Sequence, residues 1–430
     1  MNKKLVTLAV AAALAAPAIA SADAILYGKL NVGLSYMDQD MGGQDGFKGW
    51  GMSDNQVIKS GWTNFNWNLT NPFITTPQGP ANRLGVKGSE DLGNGLKAIY
   101  QVELGFSLTD SNNSAANLNG SETITMRNTF VGLAGNFGTA LMGRHDTPLK
   151  ISTGPLDLFA DTMADYNNTV GFQDLRADNV VAYISPSFSG FQFAGAIHAG
   201  GGAPATNLGV NFDTYRISNT AGKYNNEANS LAEAYSLAAI YKNGPWYASL
   251  AYEGLNSELY CQSLTLDGDT AAGCGDQLFG AETWSKWRVG LGILDWNGFT
   301  LTGIYEGWDN GLWTDGAKAD LWNVQAGYTF GQFMVKAAYG SNTQKDINML
   351  AGGGSVEGFD YLAITPDSYN FKSWSFGLDY NMSKRTKAFA LYTANDSDDL
   401  LWLGQDHENI YAGETGINWN GFQLGMMHSF

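Results

Sequence analysis

The chain has 430 residues and carries 24 Lys and Arg against 41 Asp and Glu, a formal net charge of −17. That acidity excludes nucleic acid as a partner, because a phosphate backbone is held by clustered bases, and it excludes docking onto an anionic membrane face. Aromatic residues reach 13% and glycines number 54. A barrel with a wet interior has this balance, since half of its strand residues face water.

Residues 1–22 read as a secretory signal. Lys3 and Lys4 form its basic start, Leu5 to Ala16 is an apolar run too short to span as a helix, and Ala20-Ser21-Ala22 is a small-residue cleavage site. Cleavage there leaves one domain, 23–430, with 22 bases against 41 acids, a net of −19. Strand patterns then follow in chain order. Ile25 to Leu34 alternates apolar and polar. Leu84 to Lys87 leads through Glu90-Asp91-Leu92-Gly93-Asn94-Gly95 into Leu96 to Phe106. Thr125 to Leu133 turns into Thr139 to Arg144, and Val180 to Ile184 into Phe191 to Ile197. Leu237 to Tyr241 turns at Asn243-Gly244 into Trp246 to Tyr252, and Trp287 to Leu294 at Asn297-Gly298 into Phe299 to Tyr305. Leu321 to Tyr328 turns into Phe333 to Tyr339, and Trp374 to Tyr380 into Thr386 to Tyr392. The chain closes on Gly421 to Phe430, with large apolar residues on alternate positions. Asn-Gly is a hairpin signal because both residues tolerate positive φ.

Seven pairs plus a first and a last strand make sixteen, with no membrane-length helix among them. In lipid every backbone polar group needs a partner, so closed barrels and helices are the structures that span. The fold expected is therefore all-β, a 16-stranded antiparallel transmembrane β-barrel in the bacterial outer membrane. An even count puts both termini on the periplasmic side, with short turns there and long loops outside. The long segments are 38–81, 109–122, 146–177, 200–231, 257–281, 309–318, 342–371 and 395–420, and Asn420-Gly421 is placed at the end of the last of these. In Leu96 to Leu104, alternation sends Leu96, Ala98, Tyr100, Val102 and Leu104 to lipid and Lys97, Gln101 and Glu103 to the lumen. Trp246, Trp296 and Phe188 fall at strand ends, where an aromatic girdle belongs.

Cys261 and Cys274 are the two cysteines. In an exported chain they are expected to form a disulfide closing one surface loop, the alternative being two free thiols or a partial metal site. No cofactor is expected, and no metal site, because no His lies near the cysteines and the acidic loops lack a full Ca²⁺ spacing. Only His145, His198, His407 and His428 could serve as bases, and no Gly-x-Ser-x-Gly, His-x-x-Glu-His or phosphate loop is present, so no catalytic residue is assigned.

Arg83 to Ala98, Arg127-Asn128-Thr129-Phe130-Val131-Gly132-Leu133, Met142-Gly143-Arg144, Leu26-Tyr27-Gly28-Lys29-Leu30 and the terminal Phe430 together resemble Gram-negative general porins of the Neisseria and Burkholderia type. The resemblance covers about 80–200 and both termini. It implies a homotrimeric diffusion channel for small hydrophilic solutes and ions, seated in outer-membrane lipid, whose third loop folds inward and narrows the barrel.

Segment 146–177 is that loop by position. Asp157, Asp161 and Asp165 recur every four residues, which puts them on one face of a short helix. Arg83, Lys87, Arg127 and Arg144 alternate onto the opposite wall, with Lys97 beside them. The three aspartates with Arg83, Lys87, Arg127 and Arg144 are the expected pore constriction, in which a transverse field orients polar solutes and sets ion preference; the plainer alternative is that ion pairs pin the loop to the wall. The net charge suggests a moderate lean towards cations. Two other functions stay open. A lumenal stripe drawn from Trp50, Trp62, Trp67, Trp284, Trp287, Trp308, Trp322 and Trp374 would make an oligosaccharide-selective porin, and long loops alone would make an adhesion barrel.

Overall fold

The computed structural model describes residues 23–40, 48–53, 57–59, 66–68, 82–106, 108, 124–199, 230–257, 261–266, 269–274, 282–311, 315–346, 360–364, 368–397, 400–405, 410–415 and 418–430. Residues 1–22, expected to be an export signal, and parts of seven long loops lie outside them.

Sixteen strands form the wall: β1 (Ile25–Asp40), β2 (Arg83–Gly93), β3 (Leu96–Phe106), β4 (Thr129–Gly135), β5 (Gly138–Asp146), β6 (Arg176–Ile184), β7 (Phe191–His198), β8 (Ala234–Asn243), β9 (Trp246–Leu255), β10 (Trp284–Trp296), β11 (Phe299–Asp309), β12 (Lys318–Phe330), β13 (Phe333–Lys345), β14 (Ser368–Asn381), β15 (Thr386–Ser397) and β16 (Asn418–Ser429). Each pairs antiparallel with the next, and β1 closes the ring by pairing with β16 from Lys29↔Ser429 to Asp40↔Asn418. A ring of this size leaves an aqueous interior. On its other edge β1 pairs with β2 over Ile25–Lys29, then with the short strand Lys48–Ser53. The first long loop thus begins as a continuation of the wall. Asn420-Gly421, expected in the last loop, lies within β16.

Turn chemistry accounts for the hairpins. At Asn297-Gly298 both residues have positive φ, 52° and 86°, the condition for a type I′ turn, whose twist matches the flanking strands. The expected facing also holds. Val102 is 46% exposed towards lipid while Glu103 next to it is 7% exposed inside. Phe188, Trp246 and Trp296 are all exposed at the short-turn end.

Outward aromatic pairs form two rows. One, near the short turns, contains Phe191–Tyr241, Phe330–Phe333 and Phe333–Tyr380. The other, near the long loops, contains Tyr235–Tyr252, Trp287–Tyr305, Trp322–Tyr339 and Trp374–Tyr392. Among the described residues these pairs lie on β7–β15, and the long-loop row continues through Phe422 of β16 and Tyr36 of β1, which follow Tyr392 in register. The outer face of β16 and β1–β6 presents mainly aliphatic side chains, including Leu34, Leu84, Val102, Val131, Met142 and Leu424.

Within segment 257–281, strands Cys261–Leu266 and Asp269–Cys274 form a two-stranded ribbon in which residues 261 and 274 are Cα partners.

Candidate functional site

The segment between β5 and β6 contains a helix α1 (Pro148–Thr153), a 3₁₀ turn Gly154–Leu156 and a four-residue helix α2 (Tyr166–Thr169). Pro148 opens α1, where its missing N–H is no loss, and Thr147 caps it by accepting from the Lys150 amide. No helix runs through 157–165, so Asp157, Asp161 and Asp165 do not share a helix face as their spacing suggested. Aspartate side chains satisfy the local backbone instead, which is why helix gives way to turns there. Asp157 accepts from the Phe159 amide at 2.9 Å, and Asp165 accepts from the amides of Asn167 at 2.9 Å and Asp161 at 3.0 Å.

The segment lies against inward-facing residues of β8–β16 and β1. In order along it, Leu149 N donates to Ser236 Oγ, Tyr247 Oη donates to the Ser152 carbonyl, and Thr302 Oγ1 donates to that of Leu156. Gln325 Oε1 accepts from Leu158 N, and Lys336 donates to the Leu158 carbonyl. Gln423 Oε1 accepts from Met163 N, Asn395 donates to Thr169 O and Asn342 donates to Val170 O.

Apolar contacts accompany this ladder of polar ones. Leu156, Val170 and Phe172 are fully buried in a cluster with wall residues Tyr247, Trp284, Ile304 and Leu321. Phe159 and Met163 are buried with Met37, Phe389, Leu391, Trp419 and Met427. Full burial of one such side chain is worth roughly 1.5–3 kcal/mol, so the five segment side chains together hold the segment against the wall. Glycines make the room. A Cβ on Gly290 would stand 2.6 Å from Leu156 Cδ1, and one on Gly340 would stand 2.5 Å from Val170 Cγ2.

A buried charge cluster completes the anchor. Arg288 contacts Asp174 at 2.6 Å and Glu306 at 2.5 Å, and all three side chains are at most 2% exposed. Lys286 pairs with Glu253 at 2.7 Å beside it and donates to the Gln173 carbonyl. Sequence reading assigned no role to Arg288 or Lys286. The available signal was a pair of bases two positions apart on one inward row of β10.

The inner faces of β2–β5 are left open, and there the expected bases gather. A cavity of about 480 Å³ is lined by Lys29, Arg83, Lys87 and Arg127, with Tyr27, Gln101, Glu103, Asn128 and Asp146. Arg127 is held by Glu103 at 2.7 Å, and Lys87 stands over the Tyr27 ring at 5.0 Å. Asp146 is shared by Lys150 at 3.3 Å and Arg176 at 3.0 Å. Arg144 is not among the lining residues; it pairs with Asp178 at 2.5 Å. Lys97 sits exposed by a short turn, opposite Asp91.

Asp161 is the one acid of the expected three that meets this wall. Its carboxylate contacts Lys29 at 2.5 Å and Arg83 at 3.8 Å. Burial pushes its carboxyl up, but Lys29 and Arg83 outweigh that and hold it below the ordinary carboxylate range. Asp157 and Asp165 lie deeper. Burial raises Asp157 to about 6 despite its hydrogen bond from Gln325, and burial plus the Asp157 charge raises Asp165 well above the usual value. Lys29 belongs to the Leu26–Leu30 motif and lies outside the constriction set expected from the sequence.

Among the described residues the tryptophans do not line the lumen as a stripe. Trp287 and Trp374 are exposed on the outside, and Trp284 and Trp308 are buried edge-to-face against each other. The side chains of Trp50, Trp62 and Trp67 lie outside the described residues.

A closed sixteen-stranded antiparallel wall is an arrangement that known proteins share. The family model described as "Gram-negative porin" matches residues 7–400. The chain belongs to the Gram-negative porin family and is a channel-forming protein of the bacterial outer membrane. It is 25% identical over the whole of both chains to outer membrane porin protein 32 of Delftia acidovorans. It is also 29% identical to the major outer membrane protein P.IB of Neisseria meningitidis, over 60% of this chain and 64% of that one. Among solved structures, an anion-selective porin from Comamonas acidovorans superposes with a TM-score of 0.57 at 21% identity, covering 95% of this chain and all of that one. A trimer form of OmpT from Vibrio cholerae gives 0.54 at 14% identity, covering 95% of this chain and 99% of that one.

Proposed function

We propose that the protein is a homotrimeric porin for passive diffusion of small hydrophilic solutes and ions, with its constriction between segment 147–175 and the basic wall. The observation that carries this reading is the one-sided filling of the lumen. The segment is fixed to β8–β16 and β1, and the polar cavity remains beside β1–β5. Around that cavity Lys29, Arg83, Lys87, Arg127, Lys150 and Arg176 stand against Glu103, Asp146 and Asp161, six bases to three acids. Charges beyond about 8 Å are screened at physiological salt, so these residues set the field at the narrow point and the distant net charge does not. In place of the cation lean suggested by composition, the constriction favours anions. The anion selectivity of the similar Comamonas porin agrees with that direction. Planar-bilayer recording across a KCl gradient tests the reading: stepwise pores with an anion-leaning reversal potential are expected. Replacing Arg83 and Arg127 by Ser moves the potential towards cations, and replacing Asp157, Asp161 and Asp165 by Asn moves it further towards anions. A barrel that carries no current refutes the channel.

The homotrimer is supported by the mainly aliphatic outer arc of β2–β6, which lacks the aromatic row near the long loops. Such rows sit at lipid–water interfaces, so a surface without one suits contact with other copies of the chain. A native mass of one protomer in mild detergent would sink this assignment.

A further inference from the structure

We propose that Lys29 and Arg83 form a binding subsite for small carboxylate anions, occupied in the resting loop by the chain's own Asp161. This rests on the diffusion-channel reading and adds a specific, competable site to it. The occupant shows what fits, because an aspartate side chain ends in an acetate-like group. Its carboxylate meets Lys29 at 2.5 Å and Arg83 at 3.8 Å on the wall of the 480 Å³ cavity.

The contact is accessible. The side chains of Lys29, Arg83 and Asp161 are 15%, 28% and 26% exposed, against 0–2% for Arg288, Asp174 and Glu306 on the opposite side. A solvent-reached ion pair is weak and screened, so a dissolved anion can take the place of one partner. The sealed cluster at Arg288 offers no such exchange.

The backbone points the same way. Asp161 has φ of 62°, a left-handed conformation that aspartate tolerates better than most residues and that turns its carboxylate towards the wall. Its amide donates to Asp165 Oδ2 at 3.0 Å and its carbonyl accepts from Asn31 Nδ2 at 2.5 Å. With the main chain fixed on both sides, the carboxylate can swing away while the loop stays seated. An incoming carboxylate then finds Lys29 and Arg83 vacated, with Lys87 farther along the same wall.

The test is single-channel conductance of the full-length trimer as a function of sodium acetate concentration, acetate being the only anion. Wild-type conductance is expected to bend towards saturation. Asp161→Asn removes the internal competitor and lowers the half-saturating concentration about threefold, the size expected when a weak exposed pair stops competing. Asp161→Glu keeps a carboxylate and stays close to wild type. Lys29→Gln makes conductance linear over the same range. Should Asp161→Asn fail to fold, the Glu and Gln variants still decide. An Asp161→Asn curve that superposes on wild type, or a Lys29→Gln channel that saturates as before, overturns the subsite. Absence of current from the wild type refutes the diffusion reading instead.

Discussion

The two halves of the barrel interior are built on opposite terms. From β8 to β16 the wall meets segment 147–175 through buried apolar side chains, paired backbone groups and sealed ion pairs. From β2 to β5 it faces water with bases that are reachable or shared. The same residue types serve both halves. Arg288 is fully enclosed between Asp174 and Glu306, whereas Arg83 keeps 28% of its side chain in contact with solvent. Whether an arginine here is an anchor or a selectivity element is therefore decided by what packs over it.

The largest expected effect separates those roles directly. Arg288→Ala leaves two carboxylates buried without their counter-charge, held only by hydrogen bonds from Tyr166, Asn167 and Trp308, a loss of roughly 3–5 kcal/mol, and should release the base of the segment. Arg83→Ala should cost less than about 1 kcal/mol, as exposed pairs do, while changing reversal potential. Heat-modifiability on gels and bilayer conductance of both variants measure this, and equal destabilisation would erase the distinction. Next in size, Gly340→Leu drives a side chain into Val170. Overpacking of this kind costs about 1–3 kcal/mol and should raise current noise as the segment lifts. A leucine accepted there without change would show that the packed half is not tight.

Acidity gives a smaller test. Asp157 titrates near 6 in the folded chain, above its unfolded value, so the fold binds this proton more tightly than the unfolded chain does. The stability involved is complete below the unfolded value of about 4 and is lost as pH rises towards 6. Asp165, also raised, acts in the same direction. Proteolysis of the segment should thus be slower at pH 4 than at pH 7, and Asp157→Asn should flatten the difference. A rate that rises on acidification contradicts the sign. The smallest effect belongs to the two-stranded ribbon of residues 261–274. The register of residues 261 and 274 suits the short Cα separation that a disulfide spans. We expect no thiol labelling of denatured, unreduced protein, and reduction should leave the wall and its conductance intact.

Much of the wall was legible in the sequence, because lipid outside and water inside impose alternation, and because Asn-Gly turns require their residue types. The bases Arg83, Lys87 and Arg127 were legible for the same reason. What alternation could not show was the packed half. Ala388-Phe389-Ala390-Leu391 is apolar on both faces because the inside of β15 meets Phe159 and Met163 rather than water, and a strand buried on both faces loses its period. Gly290 and Gly340 read as ordinary strand glycines until Leu156 and Val170 are seen against them. Lys29 was hidden differently. Its partner Asp161 lies 132 residues away, a separation that no local pattern encodes.

Segment 147–175 also has a mechanical meaning. A one-layer cylinder filled with water has little to resist being squeezed oval by lateral pressure in the bilayer, since its ladder bonds bend more readily than they break. The segment is fastened to β8 through Ser236 and to β1 through Lys29 and Asn31, strands that stand nearly opposite each other around the ring. It therefore works as a tie-beam along that diameter. Flattening must occur across the beam, where the uncovered strands β2–β5 bow outward or inward, so membrane tension would reshape the passage itself before it disturbed the anchor.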